Sequence, residues 1–166
     1  MKSRAAIGFV AGTFLIALAM YGLLYYGDGR LRVGRGPWEV QFTTNLAGEP
    51  MLVIAQPALG IAQHTLEFAG ESLPSQFRPV TLRFADVQAV PAPVPFGRWI
   101  YHDLMYLPGV VTFDLFPQGT NAAAPRHEVE LLPAALYINR VAHDWRRDTT
   151  LRLAPVDKRH WPMRRR

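Results

Sequence analysis

The chain has 166 residues, 49% hydrophobic and 19% charged, and no cysteine. That length holds one globular domain plus a short extra element and excludes a multidomain enzyme, the apolar content excludes wholesale disorder, and the absent cysteine excludes disulfides, thiolate catalysis and cysteine metal sites. The formal charge of +5 gathers at the two ends: residues 1–36 carry a net +4 and residues 158–166 a net +5, while residues 37–157, with eight arginines and twelve acids, carry a net −4. The part able to hold a rigid site is therefore acidic, which argues against nucleic acid as the partner.

The first element is an uncharged run from Ala5 to Gly27, preceded by Lys2 and Arg4 in a tail of residues 1–4. As a helix its 23 residues are about 34 Å long, enough to cross a hydrocarbon core of about 30 Å. Tyr21, Tyr25 and Tyr26 gather at its C-terminal end, where amphipathic rings favour the headgroup layer. The alternative is a cleaved signal peptide, for which Ala17-Leu18-Ala19 has the small-x-small form. The apolar run continues past that point through Met20, Leu23, Leu24 and Tyr26, so an uncleaved anchor is expected, with the N-terminus in the cytoplasm and the domain outside, in the periplasm of a bacterium. Gly8 and Gly12 form one GxxxG, a spacing that lets a second helix approach closely. Residues 28–36 read as a basic linker with Arg30, Arg32 and Arg35, placed to meet lipid headgroups or a partner.

Beyond the linker, residues 37–157 read as strands. Trp38, Val40 and Phe42 alternate with Glu39, Gln41 and Thr43, the period-two pattern of a half-buried strand. Residues 46–50 have turn chemistry before a second strand over 51–56, a hairpin. The same parity continues in His64, Leu66 and Phe68; in Val80, Leu82 and Phe84; in Val111, Phe113 and Leu115; in Val129 and Leu131; and in Leu151 and Leu153. Residues 136–141 are a less regular candidate. No stretch after Gly27 keeps a 3.6-residue period, so the expectation is a mainly β domain, an antiparallel sandwich of seven to nine short strands or, next in line, an open barrel. Residues 89–95, with Pro91, Pro93 and Pro95, predict an extended surface loop. Residues 117–125 predict a hairpin tip.

Chemistry is sparse. Ser72 lacks the GxSxG elbow of a serine hydrolase. The five histidines show neither HxH nor HExxH; His64, His102 and His127 converge on a metal only if the fold brings them together, and the expectation is no metal and no cofactor. The densest constellation is Trp99, Tyr101, His102 and Asp103, either a ligand or partner surface that joins stacking area to a carboxylate, or core aromatics at a sheet corner with Asp103 opening a turn. The segment 143–148 reads as a solvated turn. The tail, with Lys158, Arg159, Trp161, Arg164, Arg165 and Arg166, suits an anionic membrane surface or an acidic partner. Together these features predict a single-pass, non-enzymatic accessory subunit or binding module of an envelope membrane complex, touching lipid and a membrane-protein partner. The alternatives are an envelope enzyme acting on glycan through carboxylates such as Asp103, Asp114 and Glu130, and a cleaved, secreted β domain.

Overall fold

The computed structural model describes residues 2–85, 89–103, 105, 107–117, 125–147 and 149–155. The chain divides between Gly34 and Arg35 into two compact units. The first is one helix, α1 (Lys2–Arg35). Its segment Gly8–Gly27, 20 residues long, is apolar enough to cross a membrane and is uncovered along its whole length. Phe9, Phe14, Ile16 and Leu24 all stand exposed, as lipid-facing side chains do when the solvent is hydrocarbon rather than water. The helix does not stop at Gly27: the segment read as a linker stays helical to Arg35, and no proline interrupts it before Pro37.

Among the described residues the second unit has eleven strands in two sheets, more and shorter strands than the alternation alone resolves. One sheet has the order β11-β3-β2-β1-β4, with β1 (Trp38–Thr44), β2 (Pro50–Gln56), β3 (Ile61–Phe68), β4 (Val80–Phe84) and β11 (Thr150–Leu153). The other has the order β10-β9-β8-β7-β6-β5, with β5 (Ala92–Val94), β6 (Gly97–His102), β7 (Val111–Pro117), β8 (Pro125–Leu131), β9 (Leu136–Ile138) and β10 (Val141–His143). Neither sheet closes into a barrel. All pairs are antiparallel except β11 with β3, which run parallel with Leu151 opposite Leu66 and Leu153 opposite Phe68.

The inner faces are those the alternation predicts. Trp38, Val40, Phe42, Leu52, Ile54, Leu66 and Phe68 from one sheet meet Val111, Phe113, Leu115, Val129, Leu131 and Leu136 from the other, all fully buried. The ring of Phe113 stands edge-on to both Phe42, at 6.0 Å, and Phe84, at 5.2 Å, so aromatic pairs bridge the sheets. Each such side chain contributes about 1.5–3 kcal/mol through burial. Two buried polar side chains bond to backbone: the Trp38 indole donates to the Gly109 carbonyl at 2.7 Å, and the Gln56 amide donates to the Gly36 and Pro37 carbonyls at 3.0 and 2.8 Å, holding the entry to β1 against the end of β2.

Local chemistry explains the turns. Between β1 and β2, Asn45 Oδ1 accepts from the backbone amides of Ala47 and Glu49, an Asx turn that mimics the missing backbone partner. The irregular candidate at 136–141 resolves into β9 and β10, joined by Asn139 and Arg140 at φ 50° and 70°, the two left-handed residues that a two-residue hairpin turn requires. Two expectations change. Residues 92–94 are not a free loop: they pair with β6, Pro93 opposite Arg98, which is possible because β5 is the outermost strand and proline is tolerated at an edge. The segment 143–147 is not wholly solvated either, since Trp145 plugs the core, 5.3 Å from the ring of Trp38, with its indole donating to the Leu132 carbonyl. The hairpin tip expected at 117–125 falls largely on residues outside the described set, as do the tail residues Lys158, Arg159, Trp161 and Arg164 to Arg166.

Candidate functional site

Trp99, Tyr101, His102 and Asp103 lie on β6 and the turn after it, but they do not form one surface. A register shift between Trp99 and Tyr101 against β7 inserts an extra residue, and a bulge of this kind reverses which face the following side chains take. Trp99 therefore points into the core, 3% exposed, with its ring 4.9 Å from Phe84. Tyr101, which strict alternation would place beside it, is half exposed. His102 tucks against Trp99 and Phe84 at ring distances of 5.1 and 6.4 Å. Burial holds its pKa below the usual imidazole range, opposed by the charge of Asp103 and a backbone hydrogen bond at Phe84. Asp103 opens the turn, its Oδ1 accepting from the Met105 amide at 2.8 Å. The surface expected from this constellation reduces to Tyr101 with the rims of two neighbours.

The histidines stay apart. His64 packs edge-on to Trp145 at 5.0 Å, His102 against Phe84 and Trp99, and His127 against Phe68 at 5.2 Å. Among the described residues no three metal-ligating side chains gather. His127 does have a partner that the sequence conceals: its Nε2 is 3.4 Å from Glu71 Oε1, with both side chains almost wholly buried. Glu71 lies in the loop after β3, where no periodicity marks it, so only the folded chain brings it to His127.

Carboxylates do assemble on the outward face of the six-stranded sheet. Asp114 on β7 stands directly opposite Glu128 on β8, and Thr112 opposite Glu130. Asp114 is held by Arg98 from β6, whose Nη2 and Nε donate at 2.8 and 3.2 Å. The pKa of Glu128 is raised, first by burial, then by its hydrogen bond with Glu130 and the charges of Glu130 and Asp114, against the opposing pull of Arg140. The β9–β10 turn supplies that arginine: Asn139 exchanges hydrogen bonds with Glu128, its Oδ1 accepting from the Glu128 amide and its own amide donating to the Glu128 carbonyl. Of the three acids anticipated as a catalytic set, Asp114 and Glu130 share this face, whereas Asp103 lies beyond the end of β6.

Two clefts lie elsewhere. One, of about 500 Å³, is lined by Glu71, Leu73, Val94, Phe96 and Phe116 among others. The second, of about 640 Å³, lies between the start of β3 and the loops around Pro133 and Trp145. The acidic face lines neither of these two. On the helix, a Cβ placed on Gly8 or Gly12 would meet nothing within 4 Å, so the GxxxG surface is uncovered. Arg30, Arg32 and Arg35 fall within the helical backbone. Comparison with protein-family models, with curated proteins and with solved structures found no match.

Proposed function

We propose that this protein is a non-enzymatic, single-pass binding module that holds its β sandwich beside a bacterial inner membrane, on the periplasmic side, as the accessory subunit of a membrane complex. The observation that carries this reading is the placement of the acidic side chains: Glu128 and Glu130 lie together, half-buried, on the outward face of β8, where they can meet a partner's basic or hydrogen-bond-donating groups, beside Asp114, which is buried and paired with Arg98. Hydrolysis of a glycan requires two carboxylates facing each other across a substrate, about 5 to 10 Å apart. Here Asp114 is neutralised by Arg98 and the two glutamates hydrogen-bond to each other. The uncovered apolar helix supports the membrane assignment, and its bare GxxxG surface supports a helix partner in the bilayer.

The experiment is a mild-detergent pull-down of the tagged full chain from its native membranes, with intact-mass analysis of the recovered protein. The expected result is a stoichiometric membrane-protein partner and a chain that retains residues 1–30. Recovery of the chain alone, with mass missing before about Met20, where the small-x-small segment would be cut, refutes both the anchor and the subunit reading.

A further inference from the structure

The 640 Å³ cleft lies at the end of the sandwich where the chain enters it. β1 and β3 both start at this end, and the loops around Pro133 and Trp145 close over it. The Gln56 amide grips the carbonyls of Gly36 and Pro37, immediately after α1 ends at Arg35. The turn that follows Gln56 carries Leu59 into the cleft wall. With α1 as a membrane anchor, this end of the domain is the tethered one, and the β1–β2 turn at Leu46 lies at the opposite end of the strands.

Its lining joins apolar area to one uncommitted cation. Leu59, Ile61 and Trp145 form the apolar part. Trp145 is fixed there by its indole bond to the Leu132 carbonyl and by ring contacts with Trp38 at 5.3 Å and His64 at 5.0 Å. The next residue, Arg146, lines the cleft and is exposed, its backbone amide donating to Asp144 Oδ1 at 2.8 Å. Asp144 also lines the cleft, but its other carboxylate oxygen is 4.0 Å from Arg147 Nε. Arg83, Arg98 and Arg152 are likewise paired, with Glu39, Asp114 and Glu49. Among the described residues Arg146 takes part in no ion pair. An apolar wall with one free guanidinium suits an amphiphile with an anionic head, and guanidinium matches phosphate in geometry and charge. We propose that this cleft binds an anionic phospholipid, with Arg146 on the phosphate and the glycerol and first methylenes against Leu59, Ile61 and Trp145. Gln63 and Thr149, which also line it, offer hydrogen bonds to a glycerol headgroup. The inference rests on the anchor reading, because the leaflet that holds the helix supplies the lipid.

The absence of native cysteine allows a direct test in the full chain in neutral detergent. An environment-sensitive fluorophore is attached at Ala134→Cys, exposed and lining the cleft, or at Leu46→Cys, an exposed control at the opposite end. Titration with dihexanoylphosphatidylglycerol should give a saturable change at Ala134 and none at Leu46. Dihexanoylphosphatidylcholine should bind about fivefold more weakly. Arg146→Gln should weaken binding about tenfold, and Arg147→Gln, whose charge already meets Asp144, less than about twofold. The unlabelled chain should rank the two lipids and the two variants identically through the rise in Tm that binding brings, so a label obstructing the cleft cannot hide the result. An equal response at Leu46 overturns the proposal as micelle partitioning, and so does an Arg146→Gln titration identical to that of the parent. Inorganic phosphate reproducing the response at equal concentration overturns it too and assigns the cleft to a free anion. The anchor is read separately, from Leu15→Cys labelled in phosphatidylcholine vesicles that carry acyl-chain nitroxides. A quenched Leu15 label with a silent cleft refutes this inference alone, whereas an unquenched one refutes the anchor and, with it, the source of the lipid.

Discussion

Replacing Glu128 with glutamine should stabilise the protein at neutral pH and do nothing in acid. Glu128 faces Asp114 across the β7–β8 ladder and hydrogen-bonds to Glu130 on its own strand. Like charges directly opposite in a sheet cost about 0.2–1 kcal/mol, and partial burial adds a desolvation cost to the ionised form. Arg140 offsets part of this, and Arg98 is committed to Asp114 at 2.8 Å. A net gain of about 0.5–1 kcal/mol is reasonable, which for a domain of this size is about 2 to 4 °C in Tm. The sign follows from linkage: with its folded pKa raised above the ordinary 4.5, the glutamate contributes stability that is complete below that value and is lost as pH rises through the folded one. Glutamine keeps the hydrogen bond and cannot ionise. Thermal unfolding of both full chains in the same detergent, followed by near-ultraviolet circular dichroism at pH 4 and pH 7.5, reads the difference. A variant less stable at pH 7.5, or equally stabilised at both pH values, would refute the reasoning.

His102 should act in the opposite sense. Its pKa is lowered, mainly by burial, so its contribution is complete above about pH 6.5 and is lost as pH falls through the folded value; in His102→Gln that part of the acid destabilisation should vanish from the pH profile of Tm, and an unchanged profile would count against it. Gly97→Ala should cost about 1–3 kcal/mol, measured by urea unfolding, because its Cβ meets the Asp114 carbonyl; an unaffected midpoint would mean the β6–β7 ladder yields freely.

Where burial follows parity, the sequence was legible. The alternation at Trp38, Val40 and Phe42, and again at Val111, Phe113 and Leu115, gave the inner faces of both sheets. It failed where backbone geometry overrides side-chain pattern. The shift after Trp99 sends Tyr101 outward against its parity, and no residue type announces a bulge. Pro93 reads as a loop residue until the sheet order makes β5 an edge. Parity placed His64 inside, but the partner of His127, Glu71, lies in an irregular loop, and contact between residues 56 positions apart belongs to topology rather than to local sequence. The acidic face was half visible: Asp114 and Glu130 are outward by parity, while their meeting depends on the β7–β8 register.

The parallel pairing of β11 with β3 sets a timetable for biogenesis. Thr65 and Ala69 donate their amides to the carbonyls of Thr149 and Leu153, groups translated about 85 residues later, a delay on the order of ten seconds at ordinary elongation rates. Until then the β3 edge presents unsatisfied donors and acceptors to any other extended chain. A nascent domain therefore passes through a period of vulnerability to mispairing that ends only when β11 arrives, and chaperones that shield sheet edges should matter most for it in that interval.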